Sequence, residues 1–255
     1  MISTARGLRF RLQSVSLGIV FFAICNFTFA QNNPFSSDDF NQLWTNYALS
    51  VRSKSQPKLS YGADVGIRTE LSNQDWRQFL IRPTISWQFS PIVSGAFAVA
   101  YFDTNNNFES NVSEFRMHQD INLRWPDFNF FRMFFRVRVE QRWFYYDLLD
   151  DRFNWRFRFL VGAQSKDFKL GQGLRPFYFK AMYESFRVLQ KNDEVEVFVN
   201  NSRAYFAYGH RISSSFRYEI HYIYQQSGLL VSDGFQAGQN IFRLRLFHRI
   251  NNDPN

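Results

Sequence analysis

Residues 135–143 read Phe-Arg-Val-Arg-Val-Glu-Gln-Arg-Trp. Phe135, Val137, Val139 and Trp143 share one parity, and Arg136, Arg138, Glu140 and Arg142 share the other. Successive side chains of a strand point to opposite faces, so the stretch is a strand with one apolar and one charged wall. The same two-faced pattern recurs along the chain, in segments 43–52, 59–68, 78–89, 93–102, 113–125, 133–144, 153–163, 177–186, 203–211, 216–225 and 241–250. Turn-forming stretches separate them, among them 90–91 (Ser-Pro), 126–129 (PDFN) and 213–215 (SSS). The expectation is an all-β, antiparallel, up-and-down transmembrane β-barrel.

These segments number eleven, whereas single-chain bacterial barrels have an even count. Twelve strands are therefore expected, with ten as the fallback. The twelfth would be either residues 194–200 (EVEVFVN) or a strand before Leu43, and loop lengths favour the second. The short turns 90–91, 126–129 and 213–215 would then face the periplasm, with DTNNN, YDLLDD and the long stretch 226–239 outside. Pro83 falls inside the third segment, where it cannot donate to a ladder, so a bulge or local edge is expected there.

The N-terminus has the form of an export signal. Arg6, Arg9 and Arg11 precede the apolar stretch Val15 to Phe27, and Thr28-Phe29-Ala30 presents small residues for cleavage after Ala30. The apolar stretch is short of the ~20 residues of a membrane helix. Cys25 does not mark a lipoprotein, because Ile24 stands where a small residue is needed. The expected organisation is a signal peptide at 1–30, a polar periplasmic lead-in at 31–42, the barrel at 43–250 and a polar tail at 251–255. Removal of the signal takes three arginines and no acid, lowering the formal charge from +8 to +5. It also takes the sole cysteine, which excludes disulfides and thiol chemistry from the exported chain.

Aromatic residues make up 20% of the chain, with 32 Phe, yet mean hydropathy is negative at −0.35. Strands that are apolar on one face only reconcile the two. Periodicity alone does not separate a membrane barrel from a soluble sandwich or lipocalin-like binding protein. Segment length does, since runs of ten or more residues exceed ordinary soluble strands of about 5–6 and suit a tilted crossing. Trp44, Trp76, Trp87, Trp125, Trp143 and Trp155 all lie near segment ends, where the ring is expected at the headgroup level. A charge facing lipid at mid-bilayer costs about 2–4 kcal/mol, so the arginine wall must line the lumen.

The lumen candidates follow from parity: Arg68, Arg82, Glu114, Arg116, His118 and Asp120 from the first half of the chain; Arg136, Arg138, Glu140, Arg142, Arg156 and Arg158 from the middle; and Glu184, Arg217, Glu219, His221, Arg243 and Arg245 from the last part. Arginine rings favour anions along a pore. Arginines and carboxylates can equally pair across strands and fill the interior. Barrels of 8 strands are filled and those of 16–18 are open, so a dozen strands with this many arginines favours a constricted, networked lumen.

The order of short motifs is similar to that of the uncharacterised bacterial outer-membrane family catalogued as domain of unknown function 2490. The motifs are Trp44, Gly66-Ile67-Arg68, Ile81-Arg82-Pro83, Glu114-Phe115-Arg116, Arg136 to Glu140 and Tyr183-Glu184-Ser185-Phe186. The resemblance covers essentially all of residues 31–255. It implies a bacterial outer-membrane barrel and brings no catalytic residues with it. The chain departs from the usual terminal aromatic of such barrels: Phe247 is followed by His248-Arg249-Ile250 and the tail NNDPN.

His118 lies in phase with Glu114 and Asp120, and His221 with Glu219, so each could be a base oriented by a carboxylate. No nucleophile stands beside either, and catalysis is not expected. No His pair has ligand spacing, and Asp147, Asp150 and Asp151 lack the glycine and terminal Glu of a calcium loop, so no metal or other cofactor is expected. Export and strict alternation exclude a nucleic-acid partner. The expected partners are outer-membrane lipid, the insertion machinery of that membrane and a small anionic solute. The expected function is a small anion-preferring channel or a structural envelope component. The alternatives are a lipid-modifying or hydrolytic barrel enzyme and a soluble secreted β-sandwich or lipocalin-like binder.

Overall fold

The structure, a computed structural model, describes residues 40–71, 76–106, 111–169, 171, 175–189, 199–228 and 236–250. The expected signal peptide, the lead-in up to residue 39, residues 194–198 and the polar tail lie outside the described residues. Among the described residues eleven strands follow one another: β1 (Phe40–Arg52), β2 (Leu59–Glu70), β3 (Trp76–Gln88), β4 (Val93–Asn106), β5 (Val112–Arg124), β6 (Phe131–Tyr146), β7 (Arg152–Ser165), β8 (Phe177–Val188), β9 (Val199–Arg211), β10 (Phe216–Gly228) and β11 (Gln236–Ile250). Each pairs with the next in antiparallel register, and β1 closes the ring against β11. Among the described residues no helix is long and apolar enough to cross a membrane.

The ring has eleven strands, not twelve or ten. An odd count leaves the first and last strands running the same way, and they pair in parallel from Phe40↔Gln239 to Val51↔Ile250. Closure is thus complete without a further strand: β8 pairs directly with β9, and Val199–Asn200 simply open β9. β1 itself begins at Phe40, three residues before the expected start at Leu43. The connections β3–β4, β5–β6 and β9–β10 share one end of the barrel. The connections β4–β5, β6–β7 and β10–β11 share the other, together with the start of β1.

Parity decides the sides. The outward face carries the apolar residues, for example Ile67 (56% exposed), Val137 (42%), Phe159 (47%) and Ile220 (51%). Trp87 and Trp125 stand outward and exposed at strand ends. Two tryptophans differ from the expectation. Trp44 is 4% exposed inside the barrel, and Trp76 borders the lumen. Both have the parity of their inward neighbours, Asn46 and Gln78 respectively, which overrides nearness to a strand end.

Pro83 makes no bulge, but it does make the expected local edge. The β3–β4 pairing lapses at Arg82 and Pro83 and resumes at Thr84↔Ala98 in the same register, because Pro withholds a donor without adding a residue. The bulge-like shift lies elsewhere, between β9 and β10 at Gln226/Ser227.

The inner wall uses small residues to admit large ones. Ala98 and Ala100 of β4 are buried beneath the lumen side chains. Gly209 lies opposite Tyr178 in register, and a Cβ there would stand 2.3 Å from the tyrosine ring. Tyr178 is 1% exposed and its hydroxyl donates to Glu219, so the ring has no room to retreat. Glycine at 209 is the residue that lets the ring lie flat against the wall.

Candidate functional site

The barrel encloses a cavity of about 880 Å³, a size within the ~300–1,000 Å³ range of small-molecule sites. Thirteen cationic side chains border it, against the four carboxylates Asp64, Glu114, Asp120 and Glu219. All eighteen residues selected by parity lie on inward-facing positions, and sixteen of them border the cavity. Glu140 and Glu184 do not, because they are fully buried behind their arginines.

Charge pairing organises one side of the lumen. Asp120 accepts two parallel bonds from Arg138, at 2.6 and 2.7 Å, its direct register partner. Glu114 accepts from Arg116 (2.8 Å) and from Arg142 (2.7 Å). Glu140 is met by Arg156 at 2.6 Å and Arg158 at 2.9 Å, with Arg116 and Arg138 at 3.6 and 3.7 Å. Arg158 continues to Glu184 (2.9 Å), which also takes bonds from Arg136 (2.6 Å) and the Tyr205 hydroxyl (2.7 Å). A planar guanidinium with five donors can bridge two carboxylates in this way, which an ammonium does less well.

Two smaller groups lie outside that network. Asp64 is shared by Arg82 and Arg245, the latter at 3.0 Å, with Asn46 donating at 3.2 Å. Glu219 accepts from Lys180 and the Tyr178 hydroxyl, both at 2.6 Å. His221 joins this second group. Its Nδ1 lies 3.0 Å from an Arg243 nitrogen, which can only donate, so Nδ1 accepts and Nε2–H donates to Glu219 at 3.0 Å. Both ring nitrogens of His221 are thereby engaged.

His118 is 2% exposed and its Nδ1 has no partner, while the neighbouring carboxylates Glu114 and Asp120 are taken up by arginines. Among the described residues no three His, Cys, Asp or Glu side chains are placed to share a metal ion. At the rim, outside the strand wall, the hydrogen-bonded Arg132 guanidinium holds the Asp127 carboxyl below the usual carboxylate range.

Aromatic rings form the remaining lining. Arg68 lies 4.0 Å above the Trp44 ring, Arg116 4.2 Å above Phe102, and Arg217 4.1 Å above Phe247. Such stacking holds a guanidinium in place while leaving its edge free to donate. Trp44 packs with Tyr205, Ile223 and Ile241 into an apolar cluster inside the lumen, with Met182 against it. The parity rule reaches these residues too. Lys180, Arg203, Trp44, Ile223 and Ile241 all have inward parity. Arg217 points inward from its strand and is only loosely held to Glu219, at 3.8 Å.

Residues 41–230 match the model of the family described as "Protein of unknown function (DUF2490)". The chain belongs to this family. The match spans β1 to the end of β10. In this DUF2490 barrel, β11 lies beyond the matched stretch, although it closes the ring and carries Arg243 and Arg245. No curated protein matches the chain.

Proposed function

We propose that the chain is a bacterial outer-membrane β-barrel, exported by its N-terminal signal, folded into the membrane by the insertion machinery, and serving as a narrow passage for small anions without catalysis. The observation that carries the reading is the imbalance of charge in the lumen, where thirteen cations border the cavity against six inward carboxylates, four at the cavity and Glu140 and Glu184 buried behind their arginines. In a low-dielectric wall such an excess focuses field along the axis and raises the local anion concentration.

Three features support the membrane setting. Strands of 12–16 residues, at ~3.3 Å per residue and tilted ~45°, would rise about 28–37 Å, enough to cross a hydrocarbon core of ~30 Å. The outward wall is apolar. Polar groups on that wall satisfy one another, as lipid requires. Gln119 and Gln141 exchange amide hydrogen bonds at 3.4 and 3.3 Å, the Tyr222 hydroxyl donates to Asn240 at 2.7 Å, and Tyr47 pairs with His248 at 2.7 Å. Eleven strands and a dense arginine network favour a conductance well below that of a 16-stranded porin.

Planar-bilayer recording of the refolded protein tests the passage. Under a potassium chloride gradient, small openings should reverse near the chloride equilibrium potential. Cation-selective openings would contradict the reading, and silence at all voltages would leave a structural envelope role in its place.

A further inference from the structure

Every carboxylate of the lumen is matched to cations, but three arginines have no carboxylate partner among the described residues. Arg68 donates to Gln78 at 2.8 Å, Arg203 donates to Gln225, and Arg243 meets His221. All three border the cavity and gather around one ring, Trp44. Arg68 is opposite Trp44 on β2 and Arg243 opposite it on β11. Arg68 and Arg203 both lie over the indole, at 4.0 and 5.3 Å. The Nε atoms of Arg68 and Arg243 are buried without a hydrogen-bond partner.

This arrangement opposes its own formation unless it has a use. Arg203 and Arg243 bring like charge to Arg68, while Glu184 acts on Arg203 and Glu219 on Arg243 only from beyond ion-pair distance. Elsewhere in the same lumen the chain pairs its arginines with acids, so the lack of acid here is local. The aromatic floor, Trp44 with Tyr205 at its side, excludes water from beneath the guanidinium groups and strengthens any ion they hold.

We propose that Arg68, Arg203 and Arg243, set around Trp44, form a binding site for a phosphate-class oxyanion in transit through the lumen. The proposal rests on the anion-passage reading and names its substrate class. A carboxylate offers its lone pairs in a single plane, as Asp120 does to the facing Arg138 guanidinium. Three guanidinium groups carried by three different strands approach from different directions, and this suits a tetrahedral anion, which offers an oxygen edge to each. The shared chemistry is the phosphoryl group, borne either by free orthophosphate or by a small phosphate ester.

The test is isothermal titration of the refolded, detergent-solubilised barrel in chloride buffer with sodium orthophosphate, and separately with glycerol phosphate and succinate. The expected result is saturable 1:1 binding of orthophosphate, weakened about tenfold or more by Arg68→Gln and by Arg203→Gln, each of which removes a charge-assisted contact. Arg211→Gln, at the rim against Asp167, should leave binding unchanged. Because Arg68→Gln also removes like-charge repulsion, it should fold normally. A second readout guards against misfolding: orthophosphate should raise the urea midpoint of the parent and not that of Arg203→Gln.

Glycerol phosphate binding as well as orthophosphate would assign the site to phosphate esters, and its exclusion would assign it to the free ion. Succinate binding as tightly as orthophosphate would overturn the phosphate class. Binding that survives both arginine substitutions would overturn the site. Absence of phosphate binding alongside chloride-selective current would overturn this proposal alone, whereas absence of both would remove the passage reading with it.

Discussion

Glu140→Gln is expected to destabilise the folded barrel by about 3–5 kcal/mol, the usual cost of breaking a buried ion pair from one side. Glu140 is fully buried and faces Arg156, Arg158, Arg116 and Arg138 within 2.6–3.7 Å. An amide is nearly the same size, so the substitution removes charge without leaving a hole. Four guanidinium groups then lose their common counter-charge in a site walled by protein. Urea titration of the protein in lipid vesicles, followed by tryptophan emission, measures the loss. Replacing Arg158 at the same time should recover part of it, because one uncompensated charge leaves with the acid that balanced it. If Glu140→Gln shifts the midpoint no more than a surface substitution does, the network is ornament rather than structure. Glu184 should behave similarly, since it is as deeply buried and is held by Arg158, Arg136 and Tyr205.

Val137→Arg is expected to cost about 2–4 kcal/mol of membrane-folded stability, the depth-dependent penalty for a cation on the lipid face near mid-bilayer. Val137 stands outward, 42% exposed, in the middle of β6 between the inward Arg136 and Arg138. The substitution therefore adds one more arginine to a strand already rich in them, and only its side differs. Refolding yield into vesicles and the heat-modifiable gel shift report the outcome. In a water-soluble barrel of this same fold the change would place a charge in water, where surface substitutions change stability by less than about 0.5 kcal/mol. The sign and size of this single effect thus separate a lipid-facing wall from a hydrated one.

The side of each strand residue was legible in the sequence because parity is local. Arg136, Arg138, Glu140 and Arg142 need only their own strand to declare a face. Partnerships were not legible, since they depend on register. Glu140 lies opposite His118 on one side and Arg156 on the other, yet it also gathers Arg116, Arg138 and Arg158. Arg136 reaches Glu184 across the whole width of β7. Strand number was out of reach for a similar reason. Whether β1 meets β11 in parallel is a property of ring closure that no segment carries by itself. Trp44 shows the cost of using a regional rule where a local one applies. Nearness to a strand end suggested an interface anchor, while shared parity with Gln42 and Asn46 already placed it inside.

On the proposed membrane reading, the aromatic wall meets lipid and the arginine wall meets the lumen. Residues 31–255 contain no cysteine, so single cysteines report without background. Spin labels should be placed at successive positions of β6, from Met133→Cys to Phe144→Cys, in protein refolded into vesicles. Accessibility to oxygen, which dissolves in lipid, should peak at 135, 137 and 139. Collisions with oxygen should fall at 136, 138 and 140, giving a two-residue alternation throughout the strand. High accessibility of 135, 137 and 139 to a water-soluble nickel chelate, with no oxygen alternation, would contradict the account.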